Sequence, residues 1–298
     1  MSGSETEQLY TSLLASPTAA RPVTPRPQTP IERPAPAVAD PIEGPWLQFR
    51  VPHDCEWNRY TLTIPGLPAG LEGFRVVQIT DLHFKAFWSP VYDQLIERIN
   101  REAADLIIIT GDFVNNKRNH RPALPFVKRF VSQLESKHGR FGIMGNHDRY
   151  RVAKDLGEPD VKLLDGSHHT LRIGDADLEL LGLPGVNRCD LTDQVLASYP
   201  AKRAGVPRLM LAHFPDQIRH VTALKPDIYF AGHTHGGQVC LPGGTPLITH
   251  DKLPGRLSKG VHRAANTWLV VSRGIGFTGV PFRLFCPAEI IEITLTRG

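Results

Sequence analysis

The stretch 74–112, FRVVQITDLHFKAFWSPVYDQLIERINREAADLIIITGD, reads as strand, helix, strand. Its two ends, FRVVQIT (74–80) and DLIIIT (105–110), are nearly continuous apolar runs, the pattern of strands covered on both faces. Between them Val91, Leu95, Ile96, Ile99 and Ala103 fall on one face of a helix. The result is a βαβ unit. Working outward, six more apolar runs follow: RFGIM (140–144), LELLGL (178–183), RLMLA (208–212), DIYFA (227–231), WLVVS (268–272) and EIIEITL (289–295). Weaker helical signals occupy about 122–137, 191–199 and 215–224, the last with Asp216 placed to cap its start. This alternation predicts an α/β fold, a four-layer α/β/β/α sandwich with two central mixed β-sheets packed face to face and helices outside. Ahead of it, prolines recur every few residues from Pro17 to Pro45, too often for a helix or an internal strand. Residues 1–45 are therefore expected to be a disordered Pro-rich tail, and 46–298 one domain.

The 298 residues are 41% hydrophobic and 21% charged, a globular composition. No apolar run approaches the roughly 18 to 20 residues of a membrane-spanning helix. The N-terminus, MSGSETEQLYTSLLASP, puts acids where a secretory signal has bases, so a cytoplasmic location is expected. Cys55, Cys189, Cys240 and Cys286 lie far apart and form no C-x-x-C pair, which predicts reduced structural thiols. The net charge of +4 comes without a Lys/Arg block. A nuclease should carry a basic stripe with interleaved aromatics, and only scattered cations such as Lys117, Arg118 and Arg121 are present.

The polar residues fall in a pattern. VVQIT runs into Asp81-Leu82-His83, LIIIT into Gly111-Asp112, and GIM into Gly145-Asn146-His147-Asp148. LMLA runs into His213, and IYFA into Gly232-His233-Thr234-His235. Taken singly, a histidine after a strand is most often a hydrogen-bonded rim residue, and Gly-Asp is most often a turn. Five strands ending this way are not explained by coincidence, because ligands of α/β sheets bind beyond the carboxyl ends of the strands. Imidazoles and carboxylates without thiolate suit Mn, Zn or Fe at a hydrolytic centre. Seven candidate ligands exceed the need of one tetrahedral ion; two divalent ions about 3.5–4 Å apart would use them all and clamp a displacement at phosphorus. Such a centre keeps net positive charge after its carboxylates are counted, which fits a phosphorylated substrate.

DLH (81–83), GD (111–112), GNHD (145–148), AHFPD (212–216) and GHTHGGQ (232–238) resemble, in order and spacing, the signature of the calcineurin-like metallophosphoesterases. The match covers about residues 60–296. The resemblance implies one metal held by Asp81, His83, Asp112 and His235, and a second by Asp112, Asn146, His213 and His233, with Asp112 bridging. It implies that His147 protonates the leaving oxygen or stabilises the transition state, with Asp148 as its supporting carboxylate. One position departs: GDFVNN puts Asn115 where the family usually has a second Asp, a residue that supports the site rather than binding metal.

GHTHGGQ and SRGIGFTGVPFRLFCPAEI (272–290) look like the bacterial subgroup that includes UDP-2,3-diacylglucosamine hydrolases of lipid A synthesis. That implies a lipid-linked nucleotide substrate and a peripheral place on the inner membrane face. Arg273, at a strand end, is a candidate phosphate clamp, against the plainer reading of a surface arginine. Phe84, Phe87, Trp88, Phe277 and Phe282 are candidates for an acyl-chain groove or membrane-facing lip, against the plainer reading of loop packing. The competing readings are a broad phosphodiesterase, a nuclease, a protein phosphatase and a non-catalytic metal-binding scaffold.

Overall fold

The computed structural model describes residues 31–32, 44–148, 150–156 and 161–298. Most of the expected tail, 1–30 and 33–43, lies outside the described residues. The Gly44 N–H donates to the Glu56 carboxylate.

In chain order the first half contains β1 (Ile31–Glu32), β2 (Leu47–Phe49), β3 (Glu56–Ile64), β4 (Arg75–Ile79), α1 (Pro90–Arg101), β5 (Leu106–Thr110), α2 (Leu124–Ser132), β6 (Arg140–Ile143) and α3 (Tyr150–Leu156). The second contains β7 (Lys162–Leu163), β8 (Ser167–Ile173), β9 (Ala176–Gly182), α4 (Asp193–Ser198), β10 (Arg208–Leu211), β11 (Ile228–Ala231), β12 (Gly260–Ala264), β13 (Thr267–Val271), β14 (Phe282–Leu284) and β15 (Glu289–Arg297). One sheet has the order β3-β15-β4-β5-β6-β7, the other β1-β12-β13-β11-β10-β9-β8. Both are mixed. β15 runs parallel to β3 and antiparallel to β4, while β12 and β8 lie antiparallel to their neighbours in the second sheet.

Three apolar clusters make four layers. Leu62, Val76, Leu106 and Ile108 of the first sheet face Leu180, Leu209, Ile228 and Val270 of the second. On the first sheet's other side Val77, Ile79, Ile107 and Ile109 pack against Leu95, Ile99, Val127, Phe130 and Val152 of α1 to α3. The second sheet's outer face buries Met210, Tyr229 and Leu269 under Val195 and Ile218. Alternate residues of one strand thus enter different cores, which is why these strands read as unbroken apolar runs.

Each of the eight runs contains a strand, and the first helix begins as its sequence asks, with the Ser89 hydroxyl accepting the Val91 N–H and Pro90 in the first turn. Two details differ. The helix buries Tyr92 with Leu95, Ile96 and Ile99, and it ends before Ala103, which is exposed with φ 49°. The 215–224 segment forms two short 3-10 helices instead of an α-helix. Asp216 does not cap it, because its carboxylate accepts from Arg188 Nε at 3.1 Å. Four of the other strands, β3, β8, β12 and β14, lacked a signal. β3 and β8 are sheet edges with one face wet, so polar residues interrupt them.

Candidate metal centre

β4, β5 and β6 run parallel in one sheet, and β10 and β11 run parallel in the other. Their carboxyl ends meet at one rim. Gln78 ties the sheets together there, its amide donating to Thr110 Oγ1 at 3.0 Å and to the Ala231 carbonyl at 2.9 Å. His213, after β10, reaches across the same seam and donates from Nδ1 to the Thr110 carbonyl at 2.9 Å. That bond leaves Nε2 as the nitrogen facing the rim.

Three groupings of ligand-type atoms arise, each within 4.8 Å: Asp81, His83 and His235; His83, Asp112 and His147; Asp81, Asp112 and His213. Asp112 Oδ2 lies 3.3 Å from His83 Nε2 and 3.4 Å from His213 Nε2, so one carboxylate oxygen stands between two imidazoles. His235 Nε2 is 3.0 Å from His83 Nε2 and 3.4 Å from Asp81 Oδ1. Asn146 Oδ1 is 2.9 Å from His213 Nε2. His233 belongs to none of the three groupings. Its ring lies 5.1 Å from that of His213, and its Nε2 donates to the His250 carbonyl at 3.1 Å, which leaves the lone pair on Nδ1.

The donor set fits divalent cations. Asp81 and Asp112 are both buried, and two buried carboxylates need positive partners. Burial pushes the Asp81 carboxyl up, with the Asp112 charge adding to it. Burial opposes charge on Asp112 too, but the His213 charge and hydrogen bonds from His213 and His83 hold it well below the carboxylate range. Burial, with His83 and Arg283 nearby, depresses His235, which keeps the neutral lone pair that a metal requires. The arrangement is short of positive charge and rich in aimed lone pairs.

The backbone is bent to achieve this. Asp81 (φ 51°), His83 (φ 44°), Asp112 (φ 56°), His233 (φ 69°) and His235 (φ 51°) all occupy the left-handed region, which costs roughly 1–3 kcal/mol each for non-glycine residues. Such strain concentrates at functional sites. Two glycines permit the crowding: a Cβ at Gly145 would sit 2.3 Å from Asp112 Oδ1, and one at Gly232 2.3 Å from Asp81 Oδ2.

His147 stands beside the groupings, its ring 4.6 Å from that of His83. Its Nδ1 donates to the Asn115 carbonyl at 2.7 Å, so Nε2 keeps a lone pair. Here the expectation for Asp148 needs correction. Asp148 does not support the His147 ring; its carboxylate accepts the N–H groups of Phe113, Val114 and Gly145 at 2.9–3.1 Å and so pins two ligand loops to each other. At Asn115, the contact to His147 is made by the backbone carbonyl.

Arg273 is likewise not a clamp. It is fully buried, and its guanidinium pairs with Glu56 and, at 2.7 Å, with Glu289. Its strand-end position hid the partners, which lie at the start of β3 and of β15. Arg273→Gln is expected to cost about 3–5 kcal/mol in urea unfolding, because two buried carboxylates lose their cation, while KM for a soluble phosphodiester stays where it was. A raised KM at unchanged stability would restore the clamp. Of the five loop aromatics, Phe84 and Phe277 are buried, Phe84 packing 5.4 Å from Phe130; only Phe87 is exposed. Sequence reading missed Arg283. Its buried guanidinium donates to the carbonyls of Arg273, Gly274 and Gly276 and lies 3.2 Å from His235 Nδ1.

The model of the calcineurin-like phosphoesterase family matches residues 74–237, the span that carries every candidate metal ligand described at the rim. The chain belongs to the calcineurin-like phosphoesterase family. As a phosphoesterase it is a metal-dependent hydrolase acting on phosphoester bonds. Among its relatives, the "Uncharacterized metallophosphoesterase YkuE" of Bacillus subtilis is 28% identical over 84% of this chain and 88% of that protein. An "Uncharacterized metallophosphoesterase" of Helicobacter pylori is 28% identical over 74% of this chain, which spans 59% of that protein's length. More distant is the "UDP-2,3-diacylglucosamine pyrophosphatase LpxG" of Chlamydia trachomatis, 25% identical over 66% of this chain and 74% of that one. Among the described residues no helix of this phosphoesterase is long and apolar enough to cross a membrane.

Proposed function

We propose that this phosphoesterase holds two divalent cations, one by Asp81, His83, Asp112 and His235 and the other by Asp112, Asn146, His213 and His233, and cleaves the pyrophosphate of a lipid-linked nucleotide. The observation that carries the two-cation reading is the position of Asp112 Oδ2, 3.3 Å and 3.4 Å from imidazoles belonging to different sheets. When bound, the cations would supply Lewis acidity and lower the pKa of water to about 7.

The chain's own residues do the remainder. The His147 backbone N–H donates to Asp112 Oδ1 at 2.7 Å, which fixes the carboxylate against the loop that carries Asn146. His147 Nε2, left open by the Asn115 contact, would act in its protonated form, donating to a leaving oxygen or to the oxyanion charge of the transition state. Water adds to phosphorus and gives up a proton to solvent, the bond from phosphorus to the bridging oxygen breaks, and that oxygen leaves with the other phosphate, accepting the His147 proton.

For the substrate, the LpxG relative and the GHTHGGQ segment favour the diacylated UDP-glucosamine, released as UMP and a lipid monophosphate. Acyl chains would add binding energy remote from the reacting phosphorus. The test compares kcat/KM for the diacylated nucleotide, its deacylated counterpart and bis-p-nitrophenyl phosphate. The diacylated compound is expected to be the best of the three. If removing the acyl chains changes nothing, or the generic diester is better, a broad phosphodiesterase takes its place.

A further inference from the structure

The described residues expose eight large apolar side chains, and all except Phe87 and Val280 lie on one small ribbon. β2 pairs antiparallel with β14, Leu47 opposite Leu284 and Phe49 opposite Phe282. The 238–241 segment adds to β14's other side, with Cys240 N donating to the Leu284 carbonyl and Leu284 N to that of Gln238, both at 2.9 Å. A turn then brings 245–248 back along it, Leu247 N donating to the Val239 carbonyl at 3.2 Å.

The alternation in this ribbon is inverted. Gln48 and Arg283 point inward and are buried, whereas Leu47 and Phe49, with Phe282 and Leu284 opposite them, take the outer face. A soluble ribbon places its polar residues on the wet side. Here Trp46 is 61% and Ile248 66% exposed at its edges, more than single scattered apolar residues require.

Cations rim this face. Arg50 stacks on the Phe49 ring at 5.3 Å, Lys252 and Arg256 are exposed in the following loop, and Lys259 Nζ donates to the Gly244 carbonyl at 2.7 Å. Of the acids nearby, Asp251 is taken by Arg188 at 3.2 Å, and Asp54 is exposed in the turn after Arg50. An apolar face with Trp at its edge and a basic border is the composition of an interfacial element on anionic lipid. A second copy of the chain would bring the same cations against each other.

We propose that this ribbon is a membrane-docking element that seats its outer face in an anionic bilayer surface. Its inner side is tied to the metal centre: Arg283 reaches His235, and the Gln238 amide donates to the carbonyls of Thr278, Val280 and Phe282 at 2.9–3.1 Å. Docking therefore sets the rim at a fixed place above the lipid. This deepens the lipid-linked reading of the site and rests on it for the direction from which substrate arrives.

The test is cosedimentation of the full, metal-loaded chain with phosphatidylcholine vesicles, with and without phosphatidylglycerol, in the absence of substrate. The chain is expected to bind the anionic vesicles, less well as salt rises. Replacing Leu247 and Ile248 together by serine should lower the partition at least about tenfold at unchanged melting temperature, and Trp46→Ser should lower it independently. No binding to anionic vesicles, or equal binding by the double variant, overturns the proposal. So does a dimer in sedimentation velocity that the double variant abolishes, since a second copy would then cover the face. Hydrolysis of the diacylated UDP-glucosamine in detergent, beside the vesicle assay, separates the two readings: its hydrolysis without vesicle binding removes the docking element alone, and vesicle binding without its hydrolysis removes the lipid-linked reading alone.

Discussion

Asp112→Ala is expected to abolish turnover of any phosphodiester, by more than about 10³-fold, and to leave the purified chain with less than one bound ion. The carboxylate has two separate duties. Oδ2 stands 3.3 Å from His83 Nε2 and 3.4 Å from His213 Nε2, where the proposed reading puts a ligand shared between two cations. Oδ1 accepts the His147 N–H at 2.7 Å, so the alanine variant also frees the GNHD loop. Asp112→Asn separates these effects. An amide keeps the shape and an oxygen for the His147 N–H but gives up the negative charge that offsets two cations, so metal and activity should still be lost while the melting temperature of the metal-free chain holds. Metal analysis by mass spectrometry beside turnover decides the matter. Two ions per chain in either variant would remove Asp112 as the shared ligand.

What the sequence showed and what it hid follow from the same physics. The long strands were visible because each face of β4, β5, β10 and β11 enters a core, leaving few polar residues such as Gln78 to interrupt the runs. The ligand set was visible because those strands end at one rim, so the first polar residues after each run gather in space. Edge strands β3 and β8 were hidden because half of their residues face water. Asp148 and Arg273 were misread for another reason: position at a strand end brings a side chain near the site but does not say which way it turns. Asp148 turns to three backbone N–H groups, and Arg273 turns to Glu56 and Glu289. The hydrogen bonds that aim the imidazoles use the carbonyls of Thr110, Asn115 and His250, and backbone carbonyls leave no mark in a sequence. The inverted ribbon also escaped notice, since LQF and FRL are too short to show a period on their own.

His147→Ala is expected to keep its metals and lose about 10²- to 10⁴-fold in turnover, the usual worth of one positioned proton donor or charge-stabilising side chain. The geometry leaves two roles to distinguish, because His147 falls within a grouping with His83 and Asp112 and could serve as a ligand. Two features favour a group that touches substrate. Its ring meets His83 edge-on, at 86° and 4.6 Å, and it is half-buried where His83, Asp112 and His213 are buried. The two roles diverge in what a better leaving group does. If His147 meets the departing oxygen, replacing an alkyl leaving group by p-nitrophenol should shrink the defect, because a stable leaving anion needs little help. If it were a ligand, the defect should persist across leaving groups and the metal content should fall. Asn115→Ala is the companion variant: the carbonyl that holds His147 survives the substitution, so its turnover should stay close to that of the parent. Unchanged turnover of His147→Ala on an alkyl diester would remove the residue from the mechanism, and loss of an ion from it would make it a ligand.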